Sequence, residues 1–152
     1  GDDVMLADQT LSLMKRLEGW PEDAGLRAKL IEAMPGLKER AKTLIELGKG
    51  AEYLRVTRPI PLDEKAQKLL NDDARAMLKK LHEVLSALPD WEIEALEAAV
   101  RQFTEDMGLK LGKVAQPLRA ALTGGSTSPG IFDVLVSLGR EESLGRIEDQ
   151  AG

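Results

Sequence analysis

The sequence predicts an all-α protein built from two helical subdomains in series, residues 1–56 and 57–152. Three observations predict it. Apolar residues recur at three- and four-residue intervals along most of the chain, which is the signature of amphipathic helices. No segment sustains the alternation of a half-buried strand, and no repeat of fixed period is visible. Helix stops and starts recur between the apolar stripes, at Gly19, Pro35, Gly48, Asp63, Asn71, Pro89-Asp90, Gly108 and Gly124.

In chain order, Asp2 and Asp3 precede Leu6, Thr10, Leu13, Met14 and Leu17, so negative charge sits where a helix start favours it, and Gly19 ends the stripe. Trp20-Pro21 is expected to open a second helix with Leu26, Leu30, Ile31 and Met34 on one side. Pro35 is expected to open a third, with Leu37, Ala41, Leu44 and Ile45 inward and Gly48 at its end. Lys38, Arg40 and Lys42 lie off that stripe and should be solvated. Residues 55–62, RVTRPIPL, carry two prolines that disfavour helix for the residue before each ring, which puts the subdomain boundary here.

Asp63 should cap a short helix to about Leu70, and Asn71 a longer one with Ala74, Met77, Leu78, Leu81, Val84, Leu85 and Leu88 inward. After the stop at Pro89-Asp90, a helix from Trp91 to Met107 buries Leu96, Val100 and Phe103, and Gly108 closes it. The spacing then predicts helices over 112–123, 129–138 and 140–148, with Pro117 in the first turns of its helix or at a kink. Ser128 is a good N-cap and Pro129 a good first helical residue, so the corner between Gly124 and Pro129 should be fixed in shape.

Composition bounds the function. With 31% charged residues and no apolar run near the roughly 18 residues that span a bilayer, the chain reads as soluble and without a membrane partner. The absence of Cys excludes disulfides and thiolate metal sites and suits the cytoplasm. The start GDDVMLADQ is acidic where a signal peptide would be basic, and Gly rather than Met at position 1 suggests a piece of a longer protein. The net charge is −5, but between Arg27 and Arg58 eight basic residues face four acidic ones, and from Arg101 to Arg119 four face two. A basic face on an acidic molecule follows, adequate for modest RNA affinity.

No catalytic constellation is present. His82 is the only histidine and stands beside Leu81 and Val84 without a nucleophile, and no Gly-x-x-x-x-Gly-Lys-Ser/Thr phosphate loop occurs. Catalytic residues and metal ligands are therefore expected to be absent. The chemistry is concentrated in Leu111 to Ile131, LGKVAQPLRAALTGGSTSPGI, where Arg119, the pair Gly124-Gly125, the hydroxyls of Ser126, Thr127 and Ser128 and a helix start cluster. Such a corner suits a nucleotide pulled out of a stack.

The same stretch resembles the C-terminal anticodon-binding region of bacterial glutamyl-tRNA synthetases. There a K-x-A-Q-P-x-R-x-A-L-T-G segment is followed by S/T-P-x-x-F and L-G-x-E-x-x-L-x-R-I; the matching pieces are Lys113 to Gly124, Ser128 to Phe132 and Leu138 to Ile147. Looser similarity runs back through Trp91 to Phe103, Leu62 to Ala66 and Leu37 to Leu44. The resemblance implies that the chain reads tRNA-Glu through its anticodon loop, as a monomer joined to the catalytic domain of the same chain, where ATP with Mg and glutamate would be handled. It carries over Arg119, Ser128, Pro129 and Ile131 as contacts to the first two anticodon bases, and Arg101 as a further RNA contact. It makes Arg40 the reader of the third base, where an arginine marks enzymes that reject tRNA-Gln. A forked guanidinium satisfies the edge of C and opposes the N3–H of U. The competing reading is a helical protein-interaction module without RNA binding. A helix-turn-helix DNA reader fits less well, because the turn from Gly124 to Pro129 is longer than that motif uses.

Overall fold

The computed structural model describes residues 2–125 and 128–152; Gly1, Ser126 and Thr127 lie outside the described residues, so the hydroxyl-rich turn is seen only through Ser128. The described residues are helical with no strand. The helices are α1 (Asp2–Glu18), α2 (Ala24–Arg40), α3 (Leu44–Gly50), α4 (Glu52–Arg55), α5 (Glu64–Leu69), α6 (Asp72–Ser86), α7 (Ile93–Asp106), α8 (Leu111–Thr123) and α9 (Ile131–Gln150).

Local chemistry sets most boundaries. Gly19 (φ 68), Gly108 (φ 67) and Gly124 (φ 75) take the left-handed conformation just past α1, α7 and α8, where a side chain would be strained. Asp63 caps α5 by accepting from the Ala66 amide (2.7 Å), and Asn71 caps α6 by accepting from Ala74 (2.9 Å). The run after Ile131 divides at Gly139 (φ 82, ψ 167), between the two helices that the sequence separates there.

Several starts differ from the sequence reading. The second helix begins at Ala24, capped by Asp23, while Trp20 is buried ahead of it. Pro35 opens nothing: α2 runs through it to Arg40, because Leu30, Met34 and Leu37 form one buried face on both sides of the ring. Burial of that face outweighs the hydrogen bond that a mid-helix proline forfeits. The chain leaves the helix at Ala41 (φ −107, ψ 134), and Thr43 starts α3 by accepting from the Glu46 amide. The third helix therefore begins at Leu44 and ends at Gly50 rather than Gly48, and Ile45 is exposed. Gly48 is buried beneath Met14, where a Cβ would overlap the thioether. Asp90 is not a cap: α7 starts at Ile93 after Glu92. Val84, expected inward, is 38% exposed.

Packing then brings the parts of the site together. α1 lies against α2 and α3, while α9 touches α2, α6, α7 and α8. Leu30, Leu78, Leu81, Leu96, Leu118 and Leu135, from five of these helices, are completely buried in one cluster. Among the described residues no helix is long and apolar enough to cross a membrane.

Candidate nucleic-acid interface

Arg119 sits on α8 one turn before its end. The end is braced: Thr123 Oγ1 donates to the Arg119 carbonyl (2.9 Å) and accepts from the Gly125 amide (3.2 Å), and the Gly124 carbonyl accepts from the Asp63 amide (2.8 Å). A Cβ on Gly124 would overlap the Pro61 carbonyl oxygen, so the close approach of residues 61–63 requires glycine here.

From this base Arg119 Nη1 reaches across the turn. It donates to the Ser128 hydroxyl (2.5 Å), the Pro129 carbonyl (2.6 Å) and the Ser128 carbonyl (3.4 Å). The Ser128 hydroxyl itself donates to the Pro129 carbonyl (2.8 Å), and Ser128 is buried. The expectation that Ser128 caps the next helix is thereby corrected. Its oxygen is engaged by a guanidinium nine residues earlier, Pro129 lies outside the helix, and α9 begins at Ile131 after Gly130. Pro129 and Ile131 are also buried, Ile131 to 5% exposure.

Arg40 approaches the same carbonyl from the other side. It is the last residue of α2 and exposed, and its Nη1 donates to the Ser128 carbonyl at 3.4 Å. Two guanidiniums far apart in sequence thus converge on one backbone oxygen. Among the described residues neither forms an ion pair with a carboxylate. Burial, and then the positive charge of Arg40, lower the pKa of Arg119, yet a guanidinium stays protonated at neutral pH. Like charges held together cost free energy unless an anion joins them. The pair makes an anion or an acceptor-rich base edge favourable there.

Beside this pair runs a groove of about 340 Å³ lined by Leu37, Arg40, Ala41, Lys49, Ser128 and Pro129. Glu46 is also on its wall, with a carboxylate oxygen accepting from the Lys42 amide at 2.5 Å. The basic band read from the sequence is sorted by the fold. Arg27 pairs with Asp8 (2.7 Å), Lys38 with Asp3 (2.7 Å), Arg55 with Glu52 and Arg58 with Asp149 (2.8 Å). Of the other four, Lys29, Arg40, Lys42 and Lys49, it is Arg40 and Lys49 that line the groove. Sequence reasoning gave Lys49 no role beyond its charge, since its position beside Pro129 depends on how α3 packs. Arg101 stands apart, donating to Glu97 from Nε (3.1 Å) and Nη2 (2.9 Å) one helical turn away.

The family model of the anticodon binding domain matches residues 6–151. The chain is 60% identical over 150 residues to glutamate–tRNA ligase 2 of Parvibaculum lavamentivorans, covering 99% of this chain and 31% of that protein. It is 57% identical over 157 residues to glutamate–tRNA ligase 1 of Brucella melitensis biotype 1, covering 99% of this chain and 33% of that protein. The chain therefore spans about a third of the length of these curated relatives. The solved glutamate tRNA ligase of Elizabethkingia meningosepticum shares the fold, with a TM-score of 0.75 at 24% identity over 99% of this chain and 29% of that one. On the match across nearly its whole length, the chain belongs to the anticodon-binding domain family.

Proposed function

We propose that this chain is the part of a glutamate–tRNA ligase that reads the anticodon of tRNA-Glu. The observation that carries the reading is the convergence of Arg40 and Arg119 on the Ser128 carbonyl beside an open groove. An anticodon loop is single-stranded, so its bases can be unstacked and met on their Watson-Crick edges. Arg119 makes its hydrogen bonds within the turn through Nη1, leaving Nε and Nη2 to donate to RNA. Ser128 and Pro129 contribute the groove wall, and buried Ile131 supports the turn from within. Arg40, exposed at the rim, is the reader of the third base, which makes the enzyme discriminate against tRNA-Gln. Arg101 would add an outer contact on exchanging Glu97 for a phosphate.

Glutamate and ATP with Mg belong to a catalytic domain of the same protein, which acts as a cytoplasmic monomer. The division into 1–56 and 57–152 is part of the same proposal, supported by the non-helical stretch between α4 and α5. Binding of a tRNA-Glu anticodon stem-loop, followed across salt concentration, tests the reading. Arg119→Ala should weaken it by roughly 1–3 kcal/mol. Equal affinity of wild type and variant at every salt concentration would refute it.

A further inference from the structure

We propose that Lys49 is a phosphate-binding residue set between two nucleotide seats. It would hold the phosphate that links one nucleotide in the Arg40 groove to its neighbour in a second groove. The inference rests on the RNA-reading function above and extends it to a residue and a seat not included there.

The second groove, about 380 Å³, is lined by Tyr53, Pro61, Thr123, Gly124 and Gly125, and it shares Lys49 and Gly50 with the first. Each groove is of a size that accommodates a base with its ribose. Since the same two residues line both grooves, a strand occupying both would pass α3 beside Lys49. The walls differ in charge. The first presents Arg40 with Glu46, whereas the second carries Glu52 and Asp63 and, among the described residues, no cation but the shared Lys49. Glu52 is held by Arg55, and Asp63 Oδ1 accepts from the Ala66 amide, while its Oδ2 lies beside Gly125. A phosphate inside the second groove would meet carboxylate oxygen, so that groove suits the donor-bearing face of a nucleotide. The phosphate belongs at the cationic junction.

Lys49 is suited to hold it. It is exposed, and the carboxylates three residues to either side are engaged elsewhere, Glu46 by the Lys42 amide and Glu52 by Arg55. Among the described residues Lys49 itself is in no ion pair.

The test is binding of a tRNA-Glu anticodon stem-loop to the 152-residue chain at a series of salt concentrations, for wild type, Lys49→Ala, Lys49→Arg and Arg119→Ala. Stem-loops carrying one uncharged methylphosphonate at successive loop positions complete the set. Lys49→Ala should weaken binding roughly five- to tenfold. It should also flatten the slope of log K against log salt by about 0.7, the share of one single-strand phosphate. Lys49→Arg should restore most of the affinity. One methylphosphonate position should weaken the wild type and add nothing to Lys49→Ala. Unchanged affinity and slope in Lys49→Ala, with binding lost in Arg119→Ala, would overturn the role of Lys49 and leave the RNA-reading function standing. A wild-type chain that does not bind the stem-loop would overturn both.

Discussion

Arg146 is the side chain whose removal should damage the molecule most. It is 2% exposed on α9 and gives Nη1 to the carbonyls of Tyr53 (3.0 Å) and Leu122 (2.7 Å) and Nη2 to that of Val56 (3.0 Å). Nε meets Glu142 one turn earlier at 2.7 Å. One guanidinium thus ties the end of α4, the end of α8 and the middle of α9 into one joint. Burying a cation is costly, and what offsets the cost here is four charge-assisted hydrogen bonds with good distances. In Arg146→Met the volume is largely kept, but three carbonyls lose their donor, those of Tyr53 and Leu122 buried and that of Val56 partly so. At about 1–3 kcal/mol for each unsatisfied group, with some relaxation, the loss should be about 3–5 kcal/mol. Urea unfolding of wild type and variant measures it. Lys should rescue only part, since a single ammonium cannot copy the planar fork. A loss below about 1 kcal/mol for Arg146→Met would refute the reasoning, because the joint would then be held by apolar packing alone.

Other outcomes follow from single contacts. Gly124→Ala should cost about 2–4 kcal/mol in urea unfolding, since it combines a left-handed φ with overlap on the Pro61 carbonyl. Tyr53 is the only tyrosine, and burial pushes its phenol up to about 12, the hydrogen bond with Ser137 opposing. Tyrosinate absorbance should therefore rise near pH 12 in the folded chain. The neutral phenol is favoured by folding, so stability is intact below the unfolded value near 10 and declines as pH rises toward 12. Tyr53→Phe should remove that decline and cost about 1 kcal/mol for the lost bond to Ser137 Oγ. The Arg58 guanidinium holds the Asp149 carboxyl below its ordinary value, so its stabilisation is present above that value and lost as pH falls through the depressed one. The pair lies at the surface, so added salt should weaken this contribution.

What the sequence revealed, and what it hid, divides by the range of the interactions. Asp63 and Asn71 were legible as caps because each accepts from an amide three residues on. Gly19, Gly108 and Gly124 were legible as breaks because positive φ is a local property. Pro35 misled because proline is favoured at a helix start, and nothing local reveals that Leu30, Met34 and Leu37 are buried by other elements. Ser128 misled in a comparable way. Its hydroxyl would cap a helix if free, but Arg119 engages it across a turn whose path a pattern does not give. The candidate site was half visible. Arg119 and Ser128 fall in one motif, whereas the approach of Arg40, 88 residues from Ser128, is a product of α2 packing on α9. Lys49 was visible only as charge, because its exposure to two grooves depends on the short helix α3.

In the proposed function Arg40 and Arg119 together form a reader whose exposed member, Arg40, distinguishes one base. The most direct measurement compares two tRNA-Glu anticodon stem-loops, one with C as third base and one with G, the base tRNA-Gln carries there and whose N1–H and amino donors oppose a guanidinium, for binding to wild type and to Arg40→Gln. Wild type should favour C by roughly 1–3 kcal/mol. Arg40→Gln should lose most of that preference while retaining the Arg119-dependent affinity. An undiminished preference in Arg40→Gln, or none in the wild type, would contradict the account.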